Sequence, residues 1–225
     1  MNLNPKATPA LHVAHHAKLK CLAVVALLAG PHLAQAAGIV DATGDFLPSF
    51  AGSITSGDLD VLSASVTYNT ANNTFILSST MNGAIGSTPK GFYVWGVNRG
   101  AGNAGFLANG ITGVLLDRVV LLRPNGTGSI GGGPALPAGS ITIAGNTITG
   151  VVSGDLLPST GFATADYTWN LWPRDGAFAG FAAISDFASD NSNFPAAAVP
   201  EPASMALLLA GLGVLSWRVR ASRAG

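Results

Sequence analysis

The chain has 225 residues and a formal net charge of zero. Only 10% of its residues are charged, against roughly 25% in an average soluble protein. That balance supplies no basic field for nucleic acid. With 29 glycines it also suits an all-β exported protein better than a helical cytosolic enzyme.

Residues 1–20 are polar and weakly basic, with Lys6, Lys18 and Lys20. The apolar run Leu22–Ala29 follows, then Gly30-Pro31 and Ala34-Gln35-Ala36. A basic region, a short apolar region and an A-x-A site in that order describe a signal peptide. The apolar run is far short of the roughly 20 residues a permanent span needs. Residues 1–36 are therefore expected to engage the export machinery and to be cut by signal peptidase after Ala36, with Ala34 and Ala36 as the small residues of the site. All four histidines (His12, His15, His16, His32) and the only cysteine, Cys21, lie in this part of the chain. Its removal leaves a mature protein without imidazole or thiol. Ser-His-Asp and Cys-His catalysis and Cys/His zinc sites are thereby excluded, and the chain is not expected to be an enzyme.

Residues 37–187 read as the ectodomain. Val61–Tyr68 alternates, with Leu62, Ala64, Val66 and Tyr68 on one face. Asn72-Asn73 marks a turn, and Thr74–Thr80 is expected to pair back. Phe92–Val97 is apolar and aromatic. Val114–Leu122 is a long apolar run with Asp117 and Arg118 inside it. Segment 125–139, rich in glycine, reads as an exposed loop. Ile141–Ile143 and Thr147–Val152 flank Gly145-Asn146, a second hairpin signal, and Tyr167–Trp172 is a further strand. Short strands with frequent turn punctuation predict an all-β, antiparallel β-sandwich of jelly-roll or similar type. Residues 188–198 read as a linker.

Two groups in the ectodomain are candidate binding residues. Tyr93, Trp95, Tyr167, Trp169 and Trp172 either stack on sugar faces or fill the core. Asp58 and Asp60, two apart in a strand, share a face. With Asp41 and Asp45 they would suit Ca²⁺, which takes oxygen ligands. Alternatively they are solvated carboxylates at a strand edge. No other cofactor is expected. Five cations (Lys90, Arg99, Arg118, Arg123, Arg174) against ten Asp leave residues 37–199 with a formal charge of −5. Asp41-Ala42-Thr43-Gly44-Asp45, Asp58-Leu59-Asp60 and Ile184-Ser185-Asp186-Phe187 resemble the layout of DOMON-like or CBM9-like β-sandwich domains. That resemblance implies a sugar ligand, or haem in some members. Haem is disfavoured here because no histidine remains and Met81 is the ectodomain's one methionine.

The last 27 residues carry three parts in order. Val199-Pro200-Glu201-Pro202 is held extended by its prolines. Ala203–Trp217 is apolar and is expected to form a single transmembrane helix. As a helix it covers roughly 22 Å at about 1.5 Å per residue, marginal for a hydrocarbon core of about 30 Å. Residues 218–225 are basic, and Arg218, Arg220 and Arg223 hold that end in the cytoplasm. Segment 199–225 resembles the PEP-CTERM sorting tail of Gram-negative bacteria. The resemblance implies exosortase as partner, a transient stay in the inner membrane, then placement at the cell surface or in the extracellular matrix. It further implies association with exopolysaccharide and biofilm. The alternative is an adhesion module with a defined carbohydrate or Ca²⁺ site.

Overall fold

The computed structural model describes residues 38–199 together with Ala210–Gly211. The expected signal peptide, with Ala34 and Ala36, lies outside the described residues. So do Pro200, Glu201, Pro202 and the basic end, and of the expected membrane helix only Ala210–Gly211 is described, as helical. Among the described residues no helix is long and apolar enough to cross a membrane.

Residues 38–199 form strands linked by turns and short 3₁₀ segments, with no α-helix. The strands are β1 (Gly38–Val40), β2 (Val61–Asn69), β3 (Thr74–Met81), β4 (Gly91–Asn98), β5 (Asn103–Phe106), β6 (Ile111–Leu116) and β7 (Arg118–Leu122). They continue with β8 (Gly128–Ile130), β9 (Ile141–Ala144), β10 (Thr147–Ser153), β11 (Thr168–Asp175), β12 (Phe194–Pro195) and β13 (Ala197–Val199). One sheet has the order β1-β2-β3-β10-β9, and β13 also joins β2. The other has the order β12-β11-β4-β7-β8, and β5-β6 is a separate hairpin. All pairings are antiparallel except β13 with β2.

Both predicted turns form. Asn73 takes a positive φ of 51° at the β2–β3 turn, and its side chain accepts from Tyr68 Oη at 3.0 Å. Gly145 has φ 63° between Ala144 and Thr147, which pair directly. A positive φ at the first central residue is what a type II′ hairpin turn asks of glycine. The alternation in β2 holds for Ala64, Val66 and Tyr68, all buried. It breaks at Leu62, because the register shifts between Val61 and Ser63. The extra residue turns Val61 inward and leaves Leu62 partly exposed, the effect of a β-bulge.

Three sequence expectations are corrected. Val114–Leu122 is two strands, since Asp117 ends β6 in the hairpin and β7 begins in the main sheet. The 125–139 segment contains β8 and buries Ile130 and Leu136. Residues 188–198 do not hang free: β12 pairs with β11 at Trp169 and β13 runs along Thr67–Asn69.

One apolar cluster takes residues from both large sheets. Val66, Phe75, Leu77 and Ile148 from the first meet Tyr93, Trp95, Val120, Leu122, Trp169 and Leu171 from the second. A second cluster covers the opposite face of β4 and β11, where Val94, Val114, Trp172, Ile184 and Phe187 pack with Phe106 and Phe181. Strands buried on both faces lose the period of two, which is why Phe92–Val97 reads as a continuous apolar run. The close approach of Trp172 to β4 requires Gly96, where a Cβ would come within 2.5 Å of the indole ring.

Candidate functional site

The Asp41–Asp45 loop follows β1 and is pinned at both ends. Asp41 N–H donates to the Leu62 carbonyl at 2.9 Å, and Leu47 N–H to the Ser185 carbonyl at 2.8 Å. Between them Gly44, with φ 80°, aims its N–H at both oxygens of Asp60, each at 3.0 Å. A positive φ is open to glycine at little cost. The segment Ile184–Ala188 lies along β11, with Leu171 and Ala188 exchanging backbone hydrogen bonds. This delivers Asp186 beside β2, where its Oδ2 accepts from Val61 N–H at 3.1 Å and its Oδ1 from Phe187 N–H at 2.7 Å.

The result is a convergence of carboxylates. Asp41, Asp45 and Asp190 each place a carboxylate oxygen within 4.8 Å of the others, as do Asp45, Asp60 and Asp186. Asp45 belongs to both groups. Asp60 and Asp186 are each only 2% exposed. Asp60 also accepts from Asn82 Nδ2 at 2.9 Å. Asp41 Oδ2 is sealed from solvent and has no hydrogen-bond partner. No cation balances this charge: among the described residues the one ion pair is Arg99 with Asp117, at 2.8 Å. Burial, then the charges of Asp45 and Asp190, pushes Asp41 up to about 7. Burial, followed by repulsion from Asp41 and Asp45, pushes Asp186 up to about 8 despite its two backbone donors. Asp45 is raised as well, first by burial and then by Asp190 and Asp60. Oxygens spaced this way, without imidazole or thiol, suit a hard cation such as Ca²⁺, which takes six to eight oxygens at about 2.3–2.6 Å.

The predicted pair is divided. Asp58 and Asp60 do not share a strand face, because Gly57–Leu59 is a 3₁₀ turn. Asp58 turns away to Thr88, accepting from its N–H and its Oγ1, both at 2.7 Å. Neither residue is a solvated strand-edge carboxylate, since both are buried. Asp60 instead joins Asp45 and Asp186. Asp186 and Asp190 were not singled out as ligands from sequence. Asp186 sits 125 positions from the Val61 amide that it accepts, and no local pattern reports such a contact. The Arg174-Asp175 dipeptide makes no ion pair: Arg174 donates to the Gly180 carbonyl and Asp175 accepts from Ala177 N–H.

The aromatic group is resolved in favour of packing. Tyr93, Trp95, Tyr167 and Trp169 have no exposed surface, and the hydroxyls of Tyr93 and Tyr167 donate to the carbonyls of Asp58 and Leu157, both at 2.9 Å. Only Trp172 reaches a surface cleft, where it lines a space of about 360 Å³ with Phe92, Arg174 and Phe178. Val199, the first residue of the expected sorting motif, ends β13.

Against known proteins, the family described as the PEP-CTERM protein-sorting motif matches residues 198–223. The chain carries a PEP-CTERM sorting tail. That tail marks an exosortase-targeted protein exported toward the cell surface, with exosortase as its processing partner. No curated protein and no solved structure matches the chain. The likeness to DOMON-like and CBM9-like domains therefore has no support from those comparisons.

Proposed function

We propose that this chain is a non-catalytic component of the cell surface or extracellular matrix of a Gram-negative bacterium. Its signal peptide, cut after Ala36, takes it out. The 203–217 helix and Arg218, Arg220 and Arg223 hold it in the inner membrane until exosortase cuts near Pro200-Glu201-Pro202. The released domain, a β-sandwich whose two large sheets share one core, then remains with exopolysaccharide in a biofilm. The sorting-tail match at residues 198–223 carries this reading. The position of every histidine and of the only cysteine within residues 1–36 supports the non-catalytic part, because the mature domain then has neither imidazole nor thiol. The test follows the full-length protein in its producing cell, with and without exosortase, and with Glu201→Ala. Expected is a shorter form at the surface in the wild type and a longer membrane-bound form in the other two. An unchanged size and location in all three overturns the proposal.

A second reading makes the domain a Ca²⁺-dependent module. What favours it is the sealed, unpartnered Asp41 Oδ2 within a group of carboxylates that has no cation. A divalent ion would supply the missing partner and relieve the repulsion. Its test is whether Ca²⁺ raises the melting temperature at pH 8 above that in chelator.

A further inference from the structure

The domain has ten Asp against five cations, yet three of those cations gather at one place. A cleft of about 300 Å³ is lined by Thr88, Lys90, Phe92, Arg123 and Asn125, among others. The second, more apolar cleft of about 360 Å³ is lined by Val94, Leu121, Trp172, Arg174 and Phe178, and again by Phe92. Phe92 lines both, so they adjoin. No carboxylate lines either one, and Lys90, Arg123 and Arg174 make no ion pair among the described residues.

Register explains the arrangement. Arg174 stands directly across from Phe92 on β11. On the other side of β4, Tyr93 pairs with Leu122, so Arg123 comes level with Phe92. Strands are spaced by about 4.8 Å, which sets the two arginine backbones roughly 10 Å apart with an aromatic ring between them. Guanidinium groups take carboxylates in a two-bonded fork.

We infer that these adjoining clefts bind a carboxylate-bearing polysaccharide, with Lys90, Arg123 and Arg174 meeting its carboxylates and Phe92 and Phe178 packing on its sugar faces. An acidic peptide fits less well. β4 is paired on both sides, with β11 and β7, so the floor offers no free backbone groups to a peptide strand. The inference rests on the extracellular placement proposed above and names a ligand class for that protein.

The experiment uses the full-length chain in detergent micelles and four arms. These are short oligogalacturonates, the same oligomers after carboxyl reduction, poly-glutamate, and oligogalacturonates at high salt. Expected is saturable binding in the first arm only, weakened by salt. Lys90→Gln, which changes an exposed side chain, and Arg123→Gln should each weaken binding by about tenfold, the loss expected for one charge-assisted hydrogen bond. Phe178→Ala should weaken it with melting unchanged. Equal binding of the reduced oligomers, equal binding of poly-glutamate, indifference to Lys90→Gln, or no binding in any arm each overturns the inference. Its failure leaves the sorting reading intact, because that reading is tested by cellular processing alone.

Discussion

The carboxylate cluster makes a prediction whose sign is opposite to that of most acidic groups. A carboxyl raised in the folded chain keeps a proton that the unfolded chain has already released. Its contribution is complete below the unfolded value of 3.8 and is lost as pH rises through the folded value. For Asp186 the window runs from 3.8 to about 8. About four units at about 1.4 kcal/mol each set an upper figure near 6 kcal/mol. Relaxation and water entry reduce this, and roughly 3 kcal/mol is the working value, with Asp41 adding a smaller share because it is half open to solvent. Three of those four units lie between pH 5 and pH 8, a share of roughly 2 kcal/mol, so at about 2–4 °C per kcal/mol for a domain of this size Tm in chelator should fall by about 4–8 °C over that range. Asp117 is displaced the other way: burial raises it, but hydrogen bonds from Thr160 and Arg99 outweigh that and leave it lowered. Its loss of stability lies below the scanned window. Ca²⁺ at about 100 times its Kd should restore about 2.7 kcal/mol at pH 8. The assay is differential scanning calorimetry of the full-length chain at constant ionic strength, with chelator and with Ca²⁺. A Tm that is flat or rises from pH 5 to pH 8 in chelator refutes the crowded-carboxylate argument. A falling Tm that Ca²⁺ leaves unchanged at pH 8 refutes the metal reading alone.

Two further substitutions probe the fold around these sites. Asp45→Asn removes the one carboxylate common to both groups. In chelator at pH 8 it should melt higher than the wild type by a few degrees, roughly 1 kcal/mol of relieved repulsion, and lose most of its response to Ca²⁺; a lower Tm in chelator counts against repulsion as the dominant effect. Gly96→Ala drives a methyl into the Trp172 ring and should cost about 1–3 kcal/mol, read as a lower urea midpoint with unchanged slope; an unaltered midpoint means the second cluster repacks freely.

Features set by neighbours in sequence were legible, and features set by partners far along the chain were not. The turns at Asn73 and Gly145 follow from residues that tolerate positive φ. The inward set Ala64, Val66 and Tyr68 follows from strand alternation. Leu62 was misplaced because a bulge is a property of the pair β2–β3, not of β2 alone. The 125–139 and 188–198 segments read as irregular because their strands have only two or three residues, too few to show a period. They are defined by their pairing with β7, β11 and β2.

The same division explains the candidate sites. Asp58-Leu59-Asp60 looks like one ligand pair when read as an extended segment, and becomes two unrelated carboxylates once Gly57–Leu59 turns. What joins Asp60 to Asp186 is the return of the 184–188 segment along β11, a tertiary event with no local signature. Aromatic residues fail in the complementary way. Tyr93, Trp95, Tyr167 and Trp169 carry the composition of a sugar platform but lie in the buried apolar cluster, because a large ring gains more from burial there than from a solvated face. Phe92 and Phe178, less conspicuous in sequence, line the clefts together with Trp172 and Phe106. A binding face in an all-β domain is thus decided by which side of a central strand remains uncovered. Here the β5–β6 hairpin and the 180–187 segment cover part of that side of β4 and β11, and Lys90, Arg123 and Arg174 line the clefts that remain.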